Sequence, residues 1–217
     1  MALHLAPGSK LVMIGDSVTD CGRAQPVGEG LFGALGSGYV ANVDALLSAT
    51  YPDLHVRVVN MGTSGDTVRA LKARWQTDVL DLRPDWVSVM IGINDIWRQF
   101  DSPRQTEIHV YLDEYERTLD ELAGLTAPHI KGLVLMTPVF IEPNPADLMR
   151  AKTDNYGAAM KRVAEKHGTY FVDTQAAFNR VLAGCPSAAI AWDRVHPNHI
   201  GHMMLARAFL DAVGFAW

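Results

Sequence analysis

Two cysteines, Cys21 and Cys185, are all that this 217-residue chain contains. So sparse a supply argues for free thiols rather than a disulfide framework. The first ten residues lack the basic start and long apolar stretch of a signal peptide, which points to a cytoplasmic protein. No apolar run approaches the ~20 residues of a membrane helix, so no membrane partner is expected. The 19 Lys and Arg residues are scattered and the formal net charge is -5. With no basic run, nucleic acid is not an expected partner either. Neither GxGxxG nor GxxxxGK[ST] occurs, and Asp16, Asp66 and Asp95 would repel phosphate, which disfavours a nucleotide site. There is no internal repeat, low-complexity tract or Pro/Ser-rich linker, so residues 1–217 read as one domain. A hydrophobic share of 48% with 20% charged residues is that of a globular chain. A neutral or weakly charged small substrate fits this balance.

Short apolar runs, bounded by turn residues and not alternating, recur at 11–14, 56–59, 86–91, 132–136 and 170–172. Strands of this kind are buried on both faces, as in a parallel sheet. Between them lie stretches with helical spacing: 39–49, 67–82, 107–125, 148–167 and 198–213. In the third of these, Leu119, Leu122 and Leu125 sit three apart and are expected to line one buried stripe. Strand and helix in alternation predict right-handed crossovers and an α/β fold. Such sheets hold ligands at the carboxyl ends of their strands. Residues 96–106, with Pro103 inside, read as the longest active-site loop.

The strand ends carry chemistry. Gly15-Asp16-Ser17 follows the first strand, where the Ser17 hydroxyl can face a cleft. A Gly-Asp-Ser triplet arises by chance in roughly one chain in twenty, and Asp and Ser also make good turns and caps, so the triplet alone decides little. Near the far end stands Asp193-Arg194-Val195-His196. An Asp three residues before a His can hold one imidazole nitrogen while the other faces a nucleophile. A surface turn with an incidental ion pair is the competing reading. A metal site from His196, His199 and His202 is a third, but Pro197 favours a helix starting after His196 and separates it from the other two. Gly65 lies in a turn where a backbone N–H can approach a ligand closely, and Asn94 offers a side-chain amide. With the Ser17 N–H they make three donors for an oxyanion, although each also reads as an ordinary turn or cap residue.

Taken in order, these four segments resemble the SGNH branch of the GDSL hydrolases. That family is marked by a Gly-Asp-Ser block, a Gly block, a Gly-x-Asn-Asp block and an Asp-x-x-His block, here Gly15-Asp16-Ser17, Gly65, Gly92-Ile93-Asn94-Asp95 and Asp193 to His196. The resemblance covers almost the whole chain and implies a three-layer α/β/α, flavodoxin-like fold with a five-stranded parallel sheet. It implies Ser17 as nucleophile, His196 as base and Asp193 as its partner, with the Ser17 N–H, the Gly65 N–H and Asn94 as the oxyanion hole. Val18 stands where the family name has leucine, a packing position. Segments 14–23, 37–40, 71–75, 90–99, 135–138, 173–178 and 191–197 are similar to acetylxylan esterase-like carbohydrate esterases. That likeness implies removal of acetyl groups from sugars, most simply xylo-oligosaccharides, with no cofactor and no metal.

Trp97 and Trp192 sit beside the candidate catalytic positions and either bind substrate, by stacking on sugar or walling a small acyl pocket, or belong to the core. An esterase or thioesterase for longer acyl chains is the alternative, disfavoured by the polar character of residues 96–106. A catalytically silent carbohydrate-binding protein is the alternative of another class, disfavoured by the intact Ser, Gly, Asn, Asp and His set. The apolar stretch Gly214-Phe215-Ala216-Trp217 packs either against the domain or against another subunit of a homo-oligomer.

Overall fold

Runs of aliphatic residues without alternation become strands covered on both faces. The computed structural model describes residues 3–217. Its five strands are β1 (Lys10–Gly15), β2 (Arg57–Gly62), β3 (Trp86–Met90), β4 (Gly132–Met136) and β5 (Tyr170–Val172). All pair in parallel, in the order β2-β1-β3-β4-β5. Helices in chain order are α1 (Ser17–Asp20), α2 (Tyr39–Thr50), α3 (Val68–Ala73), α4 (Ile93–Asp101), α5 (Leu112–Thr126), α6 (Leu148–His167), α7 (Thr174–Leu182) and α8 (His199–Ala212).

Successive side chains of a strand point to opposite faces, which divides the interior into two cores. Leu11 and Met13 of β1, with Val134 and Met136 of β4, meet Tyr39, Val43, Phe178, Leu205 and Phe209 from α2, α7 and α8. Val12 and Ile14, with Val87 and Val89 of β3, meet Leu71, Ile96, Leu119, Tyr156 and Met160 from α3 to α6. The result is the three-layer α/β/α arrangement that the resemblance implies. Val18 packs into the first of these cores, as befits a packing position. The chain leaves β1 for β2 on one side and later returns to place β3 on the other. The crevice at the carboxyl ends of β1 and β3 is the switch point where such sheets bind ligands.

Several expectations shift in the structure. Strand β2 runs on to Gly62, because Asn60, Met61 and Gly62 keep their pairing with Met13, Ile14 and Gly15. Asn60 is buried there, its amide donating to Thr19 O and Leu35 O. A Cβ on Gly62 would lie 2.2 Å from the Asp20 amide nitrogen, so only glycine lets α1 rest on this strand end. The helix expected over 67–82 stops at Ala73 and resumes as a π-helical turn, Gln76–Leu80. The wider turn keeps Leu71, Trp75 and Val79 all in the core.

Residues 96–106 are not a loop throughout, since α4 continues to Asp101. Its Ile93 and Ile96 are buried, and Gln99 is tied to Val110 O and the Tyr156 hydroxyl. In α5, Leu119 and Leu122 are buried but Leu125 is half exposed. A step of six residues carries it roughly a third of a turn off the stripe. Helix α7 lies in a stretch for which the spacing predicts no helix. Cys21 and Cys185 are free thiols. Phe215 packs edge-on against Tyr51 at 5.4 Å, and Trp217 lies under the Arg207 guanidinium at 4.0 Å, so the apolar stretch rests on the protein's own surface. Among the described residues no helix is long and apolar enough to cross a membrane.

Candidate active site

At the carboxyl end of β1 the chain turns sharply, and Asp16 caps α1 by accepting the Val18 amide at 3.0 Å. That makes Ser17 the first helical residue, with an amide that the short helix does not use. Among the described residues neither the Ser17 nor the Gly65 amide has an acceptor. Ser17 Oγ lies 2.9 Å from His196 Nε2, and His196 Nδ1 lies 2.6 Å from Asp193 Oδ2. The other carboxylate oxygen, Asp193 Oδ1, accepts the Val195 and His196 amides at 3.0 and 2.9 Å. Burial pushes the Asp193 carboxyl up, but the bonds from His196 and the two amides outweigh it and hold it below the usual carboxylate range. With Nδ1–H donated to this carboxylate, His196 Nε2 keeps its lone pair toward Ser17, whose hydroxyl donates to it.

Gly65 adopts φ +87°, a backbone conformation that side chains disfavour. Its turn is tied down on both sides. Ser64 donates from its amide and hydroxyl to Asp20 Oδ2, and the Asp66 amide donates to Thr63 O. Asn94 opens α4 and donates one amide hydrogen to Asp66 O at 2.9 Å, while Arg98 reaches its Oδ1 at 3.4 Å. The second hydrogen of Asn94 Nδ2 is left for a ligand. The structure thus brings together Ser17, His196, Asp193, Gly65 and Asn94.

Trp97 is half-buried, its ring 5.8 Å from that of His196. Trp192 is 85% exposed and therefore no core residue. The three histidines do not converge. His202 Nδ1 accepts the Tyr39 amide and its Nε2 meets Cys21 Sγ at 3.1 Å, and among the described residues no cluster of three or more potential ligands could hold a metal ion.

Three carboxylates near the site behave unlike free ones. Burial pushes Asp16 up to about 7 and Asp95 up to about 8, against the opposing pull of their backbone hydrogen bonds. Asp95 receives the Val68 amide on both oxygens at 3.0 and 3.1 Å, which fixes the start of α3 to α4. Asp66 is paired with Arg74. These three carboxylates therefore do not act on phosphate as free charges would.

Arg74 belongs to none of the four motif blocks, yet it sits at the junction of the first two. It donates to Asp66 Oδ2 at 2.6 Å, Asp78 Oδ2 at 2.8 Å, Met61 O at 2.7 Å and Gly15 O at 3.1 Å. One guanidinium thereby ties the end of β1 and the end of β2 to the turn that carries Gly65. It lies within segment 71–75, which contributed to the resemblance without suggesting a role.

A parallel α/β/α sheet with a Ser–His–Asp relay at its switch point defines a hydrolase of the serine-esterase class. The chain matches the model of the GDSL-like Lipase/Acylhydrolase family over residues 13–204, and it belongs to that family. It is 60% identical over 215 residues to an acetylxylan esterase of Geobacillus stearothermophilus, covering 99% of this chain and 98% of that one. The crystal structure of Axe2, an acetylxylan esterase from the same organism, superposes with a TM-score of 0.98 at 60% identity, again over 99% and 98% of the two chains. Catalytic mutants of Axe2 in which a serine, a histidine or an aspartate is changed to alanine match equally well. LAE5, an α/β hydrolase from the metagenome of Lake Arreo, matches with a TM-score of 0.97 at 57% identity over 98% of each chain.

Proposed function

We propose that the enzyme removes acetyl groups from acetylated xylo-oligosaccharides, with Ser17 as nucleophile. The observation that carries this reading is the unbroken relay from Ser17 Oγ through His196 to Asp193, at 2.9 and 2.6 Å. His196 Nε2 takes the Ser17 proton as Oγ attacks the acetyl carbonyl carbon, and Asp193 stabilises the imidazolium that forms. The Ser17 and Gly65 amides and the free hydrogen of Asn94 Nδ2 receive the developing oxyanion. Each such donor contributes ~2.7–4 kcal/mol to the transition state. The imidazolium then gives its proton to the sugar oxygen, which departs as the alcohol and leaves acetyl-Ser17. Water activated by the same Nε2 attacks the acetyl group and releases acetate.

The substrate rests on the names of relatives 60% identical over almost the full chain. Serine, histidine and aspartate catalytic mutants in one of them support the roles given to Ser17, His196 and Asp193. Acetate release from acetylated xylo-oligosaccharides is the test, with Ser17→Ala as the control expected to lose it. Full activity in Ser17→Ala would overturn the assignment of the nucleophile. A strong preference for 4-nitrophenyl octanoate over the acetate would overturn the acetyl reading.

A further inference from the structure

The last step of acylation requires His196 Nε2 to protonate the departing sugar oxygen, so the sugar must stand on the histidine side of the centre rather than over the Gly65–Asn94 donors. Beside the histidine stands the ring of Trp97, 5.8 Å from the imidazole. Beyond it opens a groove of about 410 Å³, within the range of ~300–1,000 Å³ usual for small-molecule sites. Arg194, two residues from His196, forms part of its wall, so groove and base share one loop.

The lining mixes two chemistries. Apolar surface comes from Trp97, from Phe140 in the floor, and from Phe100 and Leu148, which are 38% and 77% exposed. Polar atoms come from Asp147 and Arg194, whose guanidinium donates to Glu142 Oε2 at 2.8 Å and lies 4.9 Å over the Phe140 ring and 3.7 Å from the Asp147 carboxylate, with further N–H groups to spare. A long acyl chain would strip water from these charged groups without offering them a hydrogen bond, which is costly. A pyranose ring satisfies both sets, with C–H faces for the aromatic and aliphatic surface and hydroxyls for the carboxylate and guanidinium.

We propose that this groove holds the xylose units flanking the acetylated one, making Trp97, Phe100, Leu148 and Arg194 a subsite for the leaving sugar chain. The inference rests on the proposed deacetylation of xylo-oligosaccharides and adds where the chain lies. It predicts that kcat/KM rises with oligosaccharide length, chiefly through KM.

The experiment measures acetate release from acetylated xylose and acetylated xylotriose, alongside hydrolysis of 4-nitrophenyl acetate, in the wild type and in a Phe100→Ala/Leu148→Ser variant. Wild-type kcat/KM is expected to be about tenfold higher on the xylotriose ester than on the xylose ester. The variant is expected to lose most of that preference, lowering the ratio of xylotriose ester to 4-nitrophenyl acetate about tenfold. Unacetylated xylotriose should inhibit 4-nitrophenyl acetate hydrolysis competitively, with a Ki about tenfold weaker in the variant. Equal rates on the xylose and xylotriose esters, or a variant that keeps the wild-type ratio and Ki, would overturn the subsite while leaving deacetylation standing. Hydrolysis of 4-nitrophenyl acetate with no acetate from either sugar ester would overturn the substrate reading and the subsite with it.

Discussion

Replacing Asn94 by alanine removes one side-chain amide that has two separate duties, and the two losses appear in different measurements. One hydrogen of Nδ2 is donated to the buried Asp66 O at 2.9 Å, and Arg98 lies on the Oδ1 side at 3.4 Å. This pair of contacts fixes the amide's orientation, since a flipped amide would set oxygen against oxygen and nitrogen against guanidinium. The remaining hydrogen is the one proposed to meet the oxyanion. Its loss should raise the barrier by ~2.7–4 kcal/mol, or about 10²–10³ in kcat. KM should hardly move, because a donor aimed at the oxyanion binds the ground-state carbonyl weakly. Losing the other hydrogen leaves the Asp66 carbonyl unpaired in the interior and should cost ~1–3 kcal/mol of folding stability. Steady-state kinetics on 4-nitrophenyl acetate read the first loss, and urea unfolding reads the second. A fall in kcat of less than about tenfold, or an effect carried entirely by KM, would refute Asn94 as an oxyanion donor. Unchanged unfolding would refute the role given to its bond with Asp66.

Other expectations can be tested with the same assays. Asp193→Asn should keep the turn, since an amide oxygen can still accept the Val195 and His196 N–H groups, but its NH2 would face Nδ1 and force the imidazole proton onto Nε2. A loss of about 10⁴ in kcat is expected from the wrong tautomer, and a loss below about tenfold would count against the relay. Arg74→Lys keeps the charge but cannot span Asp66, Asp78, Met61 O and Gly15 O together. Its kcat should fall about tenfold at nearly constant KM, and a change in melting temperature alone would reduce Arg74 to a structural residue.

Burial, aided by the charge of His196, pulls His202 from 6.5 to about 4. The unfolded chain therefore binds a proton that the folded one refuses. Stability from this group is complete above about pH 6.5 and is lost as the pH falls toward 4, by roughly 3 kcal/mol in all. Urea unfolding of His202→Gln should show a weaker loss of stability between pH 6.5 and 4.5 than the wild type, and parallel profiles would dismiss the attribution.

What could be read from the sequence depended on how local the physics was. Strands β4 and β5 appear at the bounds that their apolar runs predict, because burial on both faces is written in consecutive residues. Strand β2 ran past its expected end because Asn60, normally a turn residue, finds acceptors in Thr19 O and Leu35 O from a distant segment. Residues 96–101 of α4 read as loop because a polar residue there, Gln99, is satisfied far away, at Val110 O and the Tyr156 hydroxyl. Arg74 was illegible for the same reason. Asp78 stands at a legible i,i+4 spacing, but Gly15 O, Met61 O and Asp66 come from the ends of β1 and β2 and the turn after β2, and no spacing announces them.

The candidate triad divides along that line too. Asp193 Oδ1 accepts the Val195 and His196 amides, so His196 and Asp193 are joined by bonds local to one four-residue turn. That is why Asp-x-x-His carries meaning as a local pattern. The contact with Ser17 spans 179 residues and has to be built by packing. Buried Val195 anchors the turn in the core, and the Ile141 amide holds its Arg194 carbonyl at 2.8 Å. On the far side, α8 presents His202 to the Tyr39 amide at the start of α2 and to Cys21 at the end of α1. Ser17 begins α1 and His196 lies just before α8, so the Cys21–His202 contact braces the two helices that flank the Ser17–His196 pair. Ser17 and His196 are thus set at 2.9 Å by contacts on the far sides of the elements that position them, which leaves their facing atoms free for the proposed chemistry.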